Sequence, residues 1–127
     1  MKCNTLFLLA AITMFAISTA QAESPALLLE KGVFAEETKG DIDAAIKIYK
    51  QITDDAQANR KYVAQAHYRL GACLIKQKQY AKATPVLREF IANFPNETKL
   101  VAQAQKHLRR SEVKSPEPNF QRSSPRR

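Results

Sequence analysis

Moved along the chain by 38 residues, the segment 42–52 falls on 80–90 with its apolar positions in register. Ile42 meets Tyr80, Ala45 meets Ala83, Ile48 meets Val86, Tyr49 meets Leu87 and Ile52 meets Phe90. The glycines ahead of the two segments, Gly32 and Gly71, correspond within one residue. Apolar residues recur at three- and four-residue spacing through most of Ala26 to Leu108, the period of helices packed on one face, with little of the alternation a strand would show. An echo of this length is one helix pair, and a pair has apolar surface left over that only a stacked neighbour can cover. The chain is therefore expected to be all-α, built from antiparallel helix-pair repeats.

Local signals set the helix ends. Ser24 can cap and Pro25 suits a first helical position, and Gly40 suits the left-handed end of that helix. Asp41 then caps a second helix that buries Ile42, Ala45, Ile46, Tyr49 and Ile52. The polar break "TDDAQAN" leads to a third helix capped by Asn59, and "KQKQ" turns into a fourth that stops near Pro95. Pro85 inside the fourth predicts a bend or a late start. A fifth helix is expected from near Asn96, carrying Leu100, Val101, Ala104 and Leu108. The triplet Asn96-Glu97-Thr98 fits a glycosylation acceptor, but a helix cap is the simpler use.

In the second pair His67, Leu70, Gly71, Leu74, Tyr80, Ala83, Leu87 and Pro95 sit at the spacing of a known motif. That pair resembles the tetratricopeptide repeat, with His67 where tryptophan is usual and Leu74 where tyrosine is usual. The longer period and the "FP" at Phe94-Pro95 are similar to repeats of bacterial envelope proteins. The resemblance covers Ala26 to Leu108. It implies a tetratricopeptide-like α-solenoid of about two repeats plus a C-terminal capping helix, whose polar side carries Gln103, Lys106, Arg109 and Arg110. Gly32, Ala45, Tyr49, Leu70, Gly71, Leu74, Tyr80, Ala83, Leu87 and Pro95 are its expected packing positions. It also implies a concave groove, lined here by Glu36, Gln65, Tyr68, Ala72, Ile75 and Lys76, with Tyr68 as the anchor.

The ends of the chain differ from this body. Lys2, an apolar run from Leu6 to Ile17 and Ala20-Gln21-Ala22 follow the order of a secretory signal peptide, with cleavage expected after Ala22. The run falls short of the roughly 18 residues a membrane span needs, which favours a cleaved leader over a retained anchor. Cys73 is then the one cysteine left, so no internal disulfide staples the domain. The domain is expected over 23–110 and a disordered basic tail over 111–127, because three prolines, four serines and a single aromatic cannot bury enough surface to offset ordering entropy.

The net charge of +8 is unevenly spread. Residues 23–59 hold eight acids against four lysines, and residues 60–127 hold fifteen bases against four acids. Export directs such a basic half away from nucleic acid and towards acidic proteins or anionic envelope surfaces, although charge alone names no partner.

Nothing points to chemistry. His67 and Cys73 lie six positions apart, about 240° round a helix, so they face different sides. Cys73 reads as a small packing residue. With His107 the only other histidine there is no metal-ligand set, and no phosphate-binding glycine loop occurs. No cofactor is expected. The sequence thus suggests a non-catalytic, exported, periplasmic module that binds a peptide or helix of an envelope protein in its groove. The alternative is an envelope-surface protein that grips anionic polymer or lipid through its tail. Self-association into a homodimer through the uncapped first helix remains open.

Overall fold

The computed structural model describes residues 23–114. The expected leader, 1–22, and the end of the expected tail, 115–127, lie outside the described residues. The described residues form five α-helices: α1 (Pro25–Val33), α2 (Ile42–Asp54), α3 (Arg60–Lys76), α4 (Tyr80–Asn93) and α5 (Thr98–Lys114). Between α1 and α2 the helix continues as a wider π-helical stretch, Phe34–Lys39.

Three of the caps are those the sequence predicts. The side chains of Ser24, Asp41 and Asn59 accept from the backbone N–H groups of Leu27, Ala44 and Lys61. These bonds satisfy donors that the first turn of a helix leaves without partners. At α5 the start shifts: the helix begins at Thr98, and the Glu97 carbonyl takes its first bond, from Val101 N–H at 2.8 Å. Glu97 rather than Asn96 therefore occupies the cap position. α4 starts at Tyr80 and runs through Pro85, so the proline does not delay it.

Each helix packs on the next, and α1 also touches α3, as α3 does α5. The first helices of successive pairs thereby make one layer, with α2 and α4 behind. Tyr49, Ile52, Leu87 and Phe90 are fully buried between the layers, together with Ala45, Ala66, Cys73 and Ala83. Each large apolar side chain buried in this way contributes roughly 1.5–3 kcal/mol.

Gly32 and Gly71 mark close approaches. A Cβ on Gly32 would stand 2.5 Å from the Tyr49 ring, and one on Gly71 would stand 2.5 Å from Leu87. Tyr49 and Leu87 are themselves partners in the 38-residue echo, so the two pairs reuse one contact. Of the other expected packing positions, Leu70, Leu74, Ala45 and Ala83 are buried. Tyr80 is only half-buried and Pro95 is exposed beyond the end of α4.

The π-helical stretch explains why the glycines correspond only within one residue. From Gly32 to the left-handed Gly40 there is one more residue than from Gly71 to Lys78, which holds the equivalent left-handed position at φ 61°. A single extra residue in a helix is commonly absorbed as a local π turn. Here the Gly40 N–H reaches back five residues to the Ala35 carbonyl.

The fifth helix is more than a cap. α5 has the length of α3 and begins 38 residues after it, so Val63, Ala66, Leu70 and Cys73 fall on Val101, Ala104, Leu108 and Ser111. It is the first helix of a third unit. Composition places the tail from residue 111, yet α5 runs on to Lys114 and Ser111 is fully buried. The Ser111 hydroxyl lies 2.9 Å from that of Thr84 and can accept its hydrogen, a bond between α4 and α5. Ser111 also donates to the Leu108 carbonyl at 2.8 Å.

Candidate functional site

The first-helix layer leaves a groove of about 600 Å³ between α3 and α5, closed at one side by the π-helical stretch. On α3, Tyr68, Ala72 and Ile75 recur at helical spacing and line it, flanked by Arg69 and Lys76. α5 answers with Gln103, His107, Arg110 and Lys114, again at four- and three-residue steps. Lys78 and Tyr80 come from the α3–α4 turn and the start of α4. Five of the expected six groove residues therefore meet. Gln65, one turn before Tyr68, is outside the lining.

Glu36 forms the floor and is almost entirely covered, at 7% exposure. Its Oε2 accepts from the Tyr49 hydroxyl at 2.8 Å and from Arg69 at 2.9 Å, and its Oε1 accepts from Lys76 at 2.5 Å. Burial alone would push this carboxyl up, but the bonds from Lys76, Tyr49 and Arg69 outweigh it and hold Glu36 below the usual carboxylate range. Arg69 reaches on to Glu37 at 2.9 Å. The buried carboxylate thus ties the first pair to the second across the groove floor.

Tyr68 is half-buried, with its ring 5.9 Å from Phe90 and 6.2 Å from His107 between centroids. That support makes it a rigid aromatic edge. Ala72 and Ile75 are buried and serve as floor beside it. Burial lowers the His107 pKa, and the neighbouring Arg110, Lys106 and Lys76 lower it further. Lys114 rests over the Tyr80 ring, 5.7 Å from its centroid, at a cation–π distance.

Cys73 and His67 lie outside the groove lining. Cys73 is fully buried and its thiol is pushed up to about 12, chiefly by burial and then by Glu36, so it is not a thiolate near neutral pH. His67 packs against Phe90 and Phe94, and burial lowers its pKa. Among the described residues no three His, Cys, Asp or Glu side chains are grouped as a metal site.

Arg69, Lys78, Tyr80, Gln103, His107, Arg110 and Lys114 enter the groove without having been expected there. The offset of 38 between α3 and α5 carries the signal for the last three, since Arg69, Ala72 and Lys76 fall on His107, Arg110 and Lys114.

Residues 65–97 match the family model of the tetratricopeptide repeat. The match spans most of α3, all of α4 and the turn after it, which is one helix pair. No curated protein and no solved structure gives a significant match to the chain. The fold is that of a tetratricopeptide-like helical repeat, a class that generally mediates protein–protein interaction and is typically not enzymatic.

Proposed function

We propose that the chain is a non-catalytic interaction module that holds a peptide or helix of a partner protein in the α3–α5 groove. The observation that carries this reading is the groove itself: first helices side by side, with Tyr68 braced at its edge over Ala72 and Ile75. The leader pattern supports export to the periplasm, and an exported module would meet an envelope protein there.

A photo-crosslinking residue in place of Gln103, inside the groove, should capture a discrete partner in intact cells, whereas one in place of Lys50, on α2, should not. Tyr68→Ala should weaken that capture without unfolding the domain, as an unchanged helical circular dichroism spectrum at the assay temperature would show. Equal capture by this variant would count against the groove. The mass of the purified protein checks export, and a mature chain starting at Glu23 is the expected result.

One observation favours a second, homotypic contact. Leu27 and Phe34, 44% and 51% exposed, border a recess on the α1–α2 face with Ala44 and Ile48. Exposed aromatic and aliphatic side chains on the open end of a solenoid suit a second copy of the chain. Light scattering should then show a dimer that Phe34→Ser dissociates.

A further inference from the structure

We propose that the groove takes an acidic peptide segment. Its carboxylates meet Lys78, Arg110 and Lys114 where α3 and α5 end, and an apolar side chain lies against Tyr68 and Ile75. The proposal rests on the groove reading above and adds the chemistry of the ligand.

The charges in the groove are unbalanced. Five cations line it against a single carboxylate, Glu36. Glu36 engages Arg69 and Lys76. Among the described residues Lys78, Arg110 and Lys114 have no carboxylate within ion-pair distance. They also sit together: α3 and α5 run in step, so Lys114 stands where Lys76 stands one unit earlier, and Lys78 follows in the adjoining turn. A second recess continues past this end, between Lys78, Tyr80, Lys82 and Lys114. Cations near helix C-termini offset the helix dipole, and that accounts for part of the cluster. It does not account for Lys78, which occupies a left-handed position where the equivalent residue is glycine.

The shape and the aromatic contacts select among anionic ligands. A concave recess with its apolar floor set back admits a chain segment but not the flat face of a bilayer. Single-stranded nucleic acid is held by open aromatic faces on which bases stack. Here Tyr68 is engaged by Phe90 and His107, and Tyr80 carries Lys114. A peptide needs only the apolar floor and the cationic end.

The test is fluorescence polarisation with the purified full-length protein and a short labelled peptide of alternating leucine and glutamate, beside its leucine–glutamine counterpart. The acidic peptide should bind about tenfold more tightly at low salt, as rim charges of complementary sign would give. Raising the salt should erase the difference. Arg110→Gln with Lys114→Gln should also erase it, with an unchanged melting curve because both side chains are exposed. Arg122→Gln, Arg126→Gln and Arg127→Gln together should preserve it. Equal affinity for the two peptides would overturn the proposal while leaving the groove reading in place. Loss of the preference in the Arg122/Arg126/Arg127 variant would overturn both, since binding would then belong to the tail. Binding of neither peptide, or displacement of the acidic peptide by phosphatidylglycerol vesicles or single-stranded DNA at equal charge, would also overturn it.

Discussion

Replacing Lys78 by glycine should raise stability and lower affinity in a single step. Lys78 closes α3 at φ 61°, with its N–H bonded to the Ile75 carbonyl and the next N–H, of Gln79, bonded to the Leu74 carbonyl, each at 2.9 Å. This pair of bonds requires a left-handed residue, which is why glycine is the usual occupant. A side chain there costs about 1–2 kcal/mol. Glycine gives back roughly 0.5–1 kcal/mol through the extra freedom of the unfolded chain. The net gain from Lys78→Gly is therefore about 0.5–1 kcal/mol, the lysine side chain being exposed. For a domain of this size that is a rise in Tm of about 2–6 °C, readable by circular dichroism. The same change removes one rim cation and should weaken the acidic peptide about two- to fivefold. Lys78→Gln separates the effects, since it keeps the strain and loses the charge: affinity should fall with Tm unchanged. The reciprocal Gly40→Lys has no neighbour within 4 Å to collide with, so any loss of stability there comes from φ alone. A Tm that falls in Lys78→Gly, or an unaltered one, would refute the strain argument. Unaltered affinity in both Lys78 variants would remove this residue from the recognition site.

Three further changes probe the frame of the groove. Gly32→Ala drives a methyl group into a Tyr49 ring that is tethered to Glu36, whereas Gly71→Ala meets the more adaptable Leu87; urea denaturation should show the first as the costlier, by about 1–3 kcal/mol of overpacking. Glu36→Gln leaves Lys76 without its carboxylate and Arg69 with Glu37 alone, and should destabilise by about 2–4 kcal/mol at neutral pH. Because the folded Glu36 pKa is depressed, its contribution is complete above the unfolded carboxylate pKa and disappears as pH falls through the folded value. The stability difference between wild type and Glu36→Gln should thus be complete above about pH 5 and begin to shrink only as pH falls below the unfolded carboxylate value of about 4.3. Pro85→Ala restores a donor to the exposed Ala81 carbonyl and should raise Tm, since Pro85 is exposed and an interior proline costs a helix up to about 3 kcal/mol.

The parts of the fold that were legible are those written in local chemistry. Ser24, Asp41, Asn59 and Gly40 announce helix ends because capping acts over three or four residues. Leu70, Gly71 and Leu87 announce packing because helical spacing repeats it. α5 was harder to read, since its groove side carries His107, Arg110 and Lys114 where α3 has Arg69, Ala72 and Lys76. Only its inner positions keep the repeat, and the serine at 111 looks like the polar tail that follows it. Glu36 was placed in the groove by the resemblance, but its burial was not legible. Nothing local distinguishes it from Glu37, yet one is buried and the other exposed. The difference comes from Tyr49, Arg69 and Lys76, up to 40 residues away.

Those distant partners also set the character of the groove. The extra residue ahead of Gly40 widens the helix around Glu36, which lies on the floor bonded to Arg69 and Lys76. The charge near α3 is thereby largely cancelled, and the charge near the end of α5 is not. An acidic half evenly paired with a basic half would neutralise the groove along its whole length. One buried carboxylate instead concentrates the remaining positive charge at a single end, so a ligand with carboxylates at one end and an apolar side chain at the other would bind in one direction. Reversing the order of acidic and apolar residues in the probe peptide should then lower its affinity, and equal binding of the two orders would show that the charge acts only as a diffuse field.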